Sequence, residues 1–167
     1  MPSNRTLAPA SRSWGALALC LIAVALVAGL GARFSPAVDP AWYAALRKPG
    51  FNPPAWLFAP VWTTLYAMMA VSCWLAWRAA AGPVARYRVA ALWTLQLALN
   101  AVWTPLFFGL QRVDLALADI VALDLAVVAT IIAFQRVSRV AAWLLAPYLA
   151  WISFATALTA AIWRLNP

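Results

Sequence analysis

Residues 47–66 read R-K-P-G-F-N-P-P-A-W-L-F-A-P-V-W-T-T-L-Y and pass from a polar loop into an apolar helix. The prolines of the loop fix their own φ angles and push the residue before each of them out of helical geometry. The stretch therefore predicts a stiff, extended segment that carries Arg47 and Lys48. A helix is predicted to begin at about Pro54, because the missing N–H group of proline costs nothing in a first helical turn.

Aromatic residues follow in the predicted helix at every fourth position. Phe58, Trp62 and Tyr66 therefore share one helix face. A rigid basic loop that leads into an aromatic wall suits a flat, apolar ligand with a polar or anionic edge. A second interpretation is that the aromatic face only packs against a neighbouring helix and that the loop only caps the start of its own helix.

The composition is that of an integral membrane protein. Of the 167 residues, 66% are hydrophobic and only 10% are charged, and the mean hydropathy is +0.85. Soluble domains are about half apolar and about a quarter charged. We expect one membrane domain at residues 14–167 after a polar tail at residues 1–13. The net charge of +8 comes from basic residues scattered between apolar runs, which is typical of loops near lipid headgroups and not of a nucleic-acid-binding surface.

The residue types that most catalytic and metal sites need are scarce in this chain. It has no His, and its acidic residues are all Asp. Cys20 and Cys73 fall inside apolar runs, where neither their spacing nor their surroundings indicate a disulfide or a metal site. The sequence therefore predicts no catalytic residues, no metal site and no required cofactor.

Long apolar runs predict an all-α bundle of five membrane-spanning helices. The first run is too long for the core of a signal peptide, which is the alternative for a basic start followed by an apolar stretch. The loop from Arg33 to Pro53 is expected to fold over the membrane surface, with a short helix that Asp39 caps and that ends near Leu46. Internal prolines are expected to bend the second, third and fifth spans. The predicted spans are about Trp14–Ala32, Pro54–Ala80, Val84–Phe108, Asp114–Arg136 and Val140–Leu165.

The third predicted span has two distinct faces. Its polar-aromatic face covers about 40° of a helical wheel and consists of Gln96, Asn100, Trp103 and Phe107. This face lines an internal cavity, or its two amides bond neighbouring helices as structural support. The other face allows close packing within the bundle or across a homodimer, and it consists of Ala90, Ala91, Thr94, Ala98, Ala101 and Pro105.

The fourth and fifth spans contribute further candidates. Asp124 lies near the midpoint of the fourth span and is expected to face inward, where a structural hydrogen bond and a ligand contact both fit the pattern. In the fifth span, Tyr148 and Trp151 share a face with Ala155. The small side chain of Ala155 leaves room between the rings for a flat ligand.

Four blocks of sequence occur in a fixed order on the second, third and fifth predicted spans. They are K-P-G-F-N-P-P-A-W at 48–56, P-V-W-T-T-L-Y at 60–66, Q-L-A-L-N-A-V-W-T-P-L-F-F-G at 96–109 and P-Y-L-A-W-I-S-F-A-T-A-L at 147–158. Together they resemble the TspO/MBR family, the tryptophan-rich sensory proteins that include the mitochondrial translocator protein.

The resemblance implies a five-helix bundle, often dimeric, with a ligand pocket that opens toward the loop between the first two spans. It implies that the ligand is a porphyrin or haem-type tetrapyrrole and that the protein acts as a sensor, regulator or carrier. Light-dependent porphyrin degradation and sterol or lipid transport are the alternatives. The implied pocket residues are Trp56, Phe58, Trp62, Tyr66, Asn100, Trp103, Phe107, Tyr148, Trp151 and Ala155.

Two departures from the family pattern bear on these alternatives. Bacterial members can carry a Trp pair where this chain has Gly50 and Phe51, which argues against porphyrin degradation. The proposed cholesterol motif needs a Tyr where Ala160 precedes Arg164, so a tetrapyrrole is favoured over a sterol. The basic loop residues named above are then candidate partners for porphyrin carboxylates. Membrane lipids and a second copy of the chain are the other expected partners.

Overall fold

The computed structural model describes residues 11–34 and 39–167, and every regular element in these ranges is helical. Five stretches are long and apolar enough to cross a membrane, and the last of them is formed by two helices in succession. The predicted all-α bundle of five spans is confirmed. The elements are α1 (Ser11–Arg33), α2 (Pro40–Ala45), a 3₁₀ turn (Ala55–Leu57), α3 (Phe58–Ala79), α4 (Gly82–Thr104), a π-helical segment (Pro105–Gly109), α5 (Val113–Gln135), α6 (Arg139–Leu144) and α7 (Ala146–Leu165).

The first two spans begin at other residues than the sequence predicts. Residues 1–10 of the predicted tail lie outside the described ranges, whereas residues 11–13 already belong to α1. Helix α3 begins at Phe58, because Pro54 is extended and the residues after it form the 3₁₀ turn. Pro60 therefore lies in the first turn of α3, where its missing N–H group has no helical partner to lose, and it does not interrupt the helix.

The prolines of the third and fifth spans do interrupt their helices, as predicted. Pro105 has no N–H group for the preceding turn, and the chain widens there into the π-helical segment. That segment is closed by a hydrogen bond of 2.8 Å from the Leu110 N–H group to the Pro105 carbonyl. Near Pro147 the fifth span divides into α6 and α7, which are separated at Leu145.

The spans close into a ring. Helix α1 packs on α3 and α4, α4 packs on α5, and α5 packs on both α6 and α7. Helix α6 packs against α3, whereas α7 makes far fewer contacts with α3. The short helix α6 at the start of the fifth span therefore completes the ring, and the longer α7 diverges from α3. We call the end of the bundle at Arg33, Phe58 and Leu165 the loop end, and the end at Ala79 and Gly82 the turn end.

The loop between α1 and α3 folds onto the loop end. Asp39 caps α2 by accepting a hydrogen bond of 3.0 Å from the Trp42 N–H group, and Pro40 occupies the first turn, as the sequence predicts. The Trp42 ring packs edge-on against Phe107 of the π-helical segment, with the ring centroids 5.7 Å apart. The short helix is thereby fixed over the end of the third span.

Candidate functional site: an aromatic cleft between three spans

Three helices meet at a chain of hydrogen-bonded side chains. The Tyr66 hydroxyl on α3 donates to Asn100 Oδ1 on α4 at 2.8 Å, and Asn100 Nδ2 donates to the Tyr148 hydroxyl on α7 at 3.2 Å. Asn100 is 6% exposed and Tyr148 is fully buried. Because unpaired polar groups are costly in an apolar interior, this chain holds α3, α4 and α7 together at one level of the bundle.

Aromatic rings flank this chain on the α3 and α7 sides. The Trp62 ring lies 5.2 Å from the Tyr66 ring and 6.3 Å from the Tyr148 ring, measured between centroids. Toward the loop end, Phe58 meets Trp151 edge-on at 5.8 Å. Phe58, Trp62 and Trp151 are only half-buried, so part of each ring surface stays accessible. We call the following group of side chains, whose neighbouring rings are in contact, the aromatic cleft: Phe58, Trp62, Tyr66, Asn100, Tyr148, Trp151 and the half-buried Ala155.

The predicted polar-aromatic face of α4 is divided between two environments. Asn100 belongs to the aromatic cleft, whereas Phe107 is 2% exposed beneath the Trp42 ring. Trp103 stacks on Phe107 with the centroids 4.9 Å apart and the planes 19° from parallel, and it also packs against the main core. Its Nε1–H group is buried and lacks a hydrogen-bond partner among the residues that the structure describes. This group is a donor that a ligand could use.

Gln96 lies one turn from Asn100 and is fully buried. Its Nε2 group donates to the Trp93 carbonyl of its own helix at 2.9 Å. Its Oε1 atom has no hydrogen-bond partner within residues 11–34 and 39–167. Of the two amides on this face, Asn100 therefore provides the bond between helices, and Gln96 is bonded to its own helix.

Asp124 connects α5 to α7 through two hydroxyl groups. Ser153 Oγ donates to its Oδ1 atom at 3.1 Å, and Thr156 Oγ1 donates to its Oδ2 atom at 2.7 Å. Both carboxylate oxygens are thus engaged between helices, which is the structural role that the sequence pattern left open. Asp119 on the same helix has a buried Oδ2 atom with no partner in the described part of the chain.

The two basic residues of the loop are held in different ways. Lys48 Nζ donates to the carbonyl groups of Tyr43 and Leu46 and lies 4.3 Å from the centroid of the Tyr43 ring. Arg47 is exposed, and its main chain is bound by Asn166. The Arg47 N–H group donates to Asn166 Oδ1, and Asn166 Nδ2 donates to the Arg47 carbonyl, both at 3.0 Å. The loop is thereby fastened to the end of α7.

Sequence reasoning did not identify Asn166 as part of this cover. The only signal is an amide residue directly after the apolar fifth span. Its partner Arg47 lies 119 residues earlier in the chain, so the bond exists only because the fold brings both residues to the loop end.

Ring contacts complete the cover over the cleft. Phe51 packs on Phe154 of α7 at 6.2 Å, and Tyr43 packs on Phe108 at 5.5 Å. Burial raises the pKa of Tyr43, and its hydrogen bond with Asn52 lowers it in part. The Tyr43 hydroxyl group therefore stays protonated at neutral pH, where an unperturbed tyrosine is already neutral.

Trp56 lies apart from this group. It is 73% exposed on the 3₁₀ turn that precedes α3. A tryptophan at the end of a span is typical of the headgroup region of a membrane. The structure brings the other aromatic candidates together in the cleft or beside Phe107, but it does not bring Trp56 to either group.

Comparison with known proteins identifies the family to which this sequence is similar. Residues 16–164 match the TspO/MBR family. The chain belongs to this family. The tryptophan-rich protein TspO of Archaeoglobus fulgidus is 43% identical to it over 150 residues, which cover 90% of this chain and 96% of the relative. The translocator protein of Homo sapiens is 43% identical over 138 residues, or 82% of each chain. The tryptophan-rich sensory protein of Cereibacter sphaeroides is 38% identical over 157 residues, or 92% of each chain.

This TspO/MBR protein is therefore an integral membrane protein with several spans, and the resemblance inferred from the four sequence blocks is confirmed. Those blocks supply the loop that covers the cleft and the α3, α4 and α7 residues that line it.

Proposed function

We propose that this TspO/MBR protein binds a porphyrin or haem-type tetrapyrrole in the aromatic cleft and acts as a sensor, regulator or carrier of it. The observation that supports this proposal most is the convergence of Trp62, Tyr66 and Trp151 from two helices around one buried hydrogen-bonded chain. A tetrapyrrole is a flat aromatic ring system, and stacked or edge-on ring contacts are the interactions it forms best.

The packing of the helices supports an access route between α3 and α7. These two helices share few contacts, whereas α3 packs closely on α6. Phe58 and Trp151 meet across this opening, so a planar ligand would enter by separating their rings. Ala155 lies one turn beyond Trp151 and adds little bulk beside the path.

The charge at the loop end suits the anionic edge of such a ligand. Porphyrin carboxylates would meet the exposed Arg47 at the rim of the cleft, and an arginine binds a carboxylate through two parallel hydrogen bonds. Lys48 is the second candidate, but its ammonium group already donates to two carbonyl groups of the loop. We therefore expect Arg47 to contribute more than Lys48 to the charge contact.

The names of the relatives support the role in general terms. One relative is a translocator protein and another is a sensory protein. We propose that this chain either carries its ligand in the membrane or senses it there. We further propose a homodimer through the small-residue face of α4, because Thr94 and Ala98 are exposed on the outside of the bundle, next to Ala90 and Ala101.

Titration of the purified protein with protoporphyrin in the dark, followed by porphyrin absorption, tests the site. Trp62→Ala and Trp151→Ala each remove one ring of the cleft. We expect each to weaken binding about tenfold, because an aromatic contact contributes roughly 1 kcal/mol beyond its buried area. Trp143→Ala is the matched control, since Trp143 is 71% exposed on α6 at the turn end, and it should bind as wild type does.

Two results would contradict the proposal. Unchanged affinity in both cleft variants would show that the ligand does not touch these rings. An equal loss in Trp143→Ala would show that the effect arises from tryptophan content and not from the cleft.

A further inference from the structure

An open, surface-exposed cavity of about 620 Å³ lies at the turn end, far from the aromatic cleft. Gly82 forms its edge with a φ angle of +80°, which turns the chain sharply between α3 and α4 and which a residue with a Cβ atom rarely adopts. The cavity is therefore built into the turn. Its lining residues are Trp77, Gly82, Pro83, Arg86, Tyr87 and Ala90.

The arginine of this cavity is positioned to bind an anion. The Arg86 guanidinium lies over the Trp77 ring, 5.8 Å from the ring centroid. A guanidinium group can form two parallel hydrogen bonds with a phosphate group. Tyr87 is 74% exposed beside it and has the amphipathic ring that is typical of the headgroup region.

The chain itself supplies no carboxylate side chain to neutralise this end. Asp39 and Asp114 belong to the loop end, and Asp119 and Asp124 lie within α5. Of these four, Asp124 lies closest to the turn end. The helical rise places it about 16 Å from the last residue of α5. Among the residues whose side chains the structure describes, the arginines at the turn end are Arg78, Arg86, Arg88, Arg136 and Arg139. An anion that balances them has to come from outside the chain.

We propose that this cavity binds the phosphate group of an anionic phospholipid through bidentate hydrogen bonds from Arg86. The cavity lies where two spans reach the membrane surface, and anionic lipid headgroups are present at that level. Its volume is in the usual range for small-molecule sites, which is about 300–1,000 Å³. Trp77, Pro83 and Ala90 supply apolar walls for the first carbons of the acyl chains, which a free phosphate ion would leave unused.

The experiment is native mass spectrometry of the detergent-purified protein titrated with phosphatidylglycerol or phosphatidylcholine. We expect the anionic lipid to bind more tightly than the zwitterionic one. Arg86→Gln should weaken phosphatidylglycerol binding about tenfold, because it removes the charge-assisted hydrogen bonds to the phosphate group. Arg88→Gln removes the same charge next to the cavity lining and should change the affinity by less than about twofold.

A third variant separates a shaped site from diffuse charge. Arg86→Lys keeps the charge but loses the planar fork of donors, so we expect it to weaken binding several-fold. Both arginines are exposed, and thermal unfolding in detergent checks that each variant keeps the fold.

The same data overturn the proposal in several ways. Equal losses in Arg86→Gln and Arg88→Gln, or wild-type affinity in Arg86→Lys, would show a diffuse basic surface. Equal binding of the two lipids would exclude a site that is selective for anionic phospholipids. Displacement of phosphatidylglycerol by millimolar inorganic phosphate would show a site for the free ion and not for a lipid.

Discussion

Asn100 accepts a hydrogen bond from α3 and donates one to α7 with a single amide group. Few side chains could replace it, because an ionised aspartate only accepts and an apolar residue does neither. If Asn100 were replaced by an apolar residue, each tyrosine partner would keep a hydroxyl group in the interior of the bundle without this hydrogen bond. Asn100 therefore links three helices at the level of the cleft.

We predict that Asn100→Leu lowers the free energy of unfolding by about 1–2 kcal/mol, because it leaves the Tyr66 and Tyr148 hydroxyl groups without this partner. Equilibrium unfolding of the detergent-solubilised protein measures the loss. Thr63→Val on the exposed face of α3 is the control and should change little. A loss below about 0.5 kcal/mol in Asn100→Leu would mean that water or a neighbour replaces the amide.

Single residues also show what a helical wheel cannot predict. The positions of Gln96 and Asn100 on one face are equivalent in sequence, yet Gln96 bonds its own helix and Asn100 bonds two others. Lys48 was predicted as an anion partner, and the structure shows that its ammonium group donates to two carbonyl groups of its own loop. These differences arise from which neighbour each side chain reaches, and a periodic pattern does not contain that information.

At the scale of elements, the loop that covers the cleft is held at two places, by a ring contact at one and by hydrogen bonds at the other. The Trp42 ring anchors α2 on the π-helical segment, and Asn166 anchors the Arg47 main chain on α7. Phe51 adds a ring contact to α7. We call the pair of hydrogen bonds between Asn166 and the Arg47 main chain the latch of this cover. It lies at the side where α7 diverges from α3.

Asn166→Ala is expected to loosen this cover without unfolding the bundle, because it removes two hydrogen bonds to exposed main chain. Amide hydrogen exchange at residues 47–52 should become about tenfold faster, which corresponds to about 1.4 kcal/mol of local stability.

Arg164→Gln provides the comparison for this latch variant. Arg164 is an exposed residue near the same end of α7, and its replacement should leave the exchange of residues 47–52 as it is in the wild type. An unchanged exchange rate in Asn166→Ala would show that the ring contacts alone hold the loop.

For the whole molecule, the outer surface matters as much as the interior, because lipid and a second chain compete for it. Helix α4 presents a strip of small residues on this surface, with Thr94 and Ala98 exposed. Small residues let two helices approach closely, which is how many spans associate in the absence of a hydrophobic driving force.

We predict that Ala98→Leu weakens self-association about tenfold, because the added bulk separates the two backbones. Energy transfer between labelled copies in liposomes measures the dimer fraction. Ala129→Leu is the matched control, since Ala129 is also exposed but belongs to α5. The proposed interface would be excluded if both variants associated as the wild type does, or if Ala129→Leu alone reduced association.

The sequence by itself determined the membrane class, the all-α fold, the approximate limits of the spans and the aromatic faces of α3, α4 and α7. These features follow from local properties: apolar length, helical period, capping at Asp39 and the effect of Pro105 and Pro147 on helical hydrogen bonds.

Only the tertiary structure decided which faces meet. It joined Tyr66, Asn100 and Tyr148 into one chain, bound Asn166 to Arg47, placed Asp124 between α5 and α7, and left Trp56 outside the cleft. The physical reason is that these outcomes depend on the rotation and spacing of whole helices. Those quantities are set by packing summed over the bundle, and no single stretch of the chain specifies them.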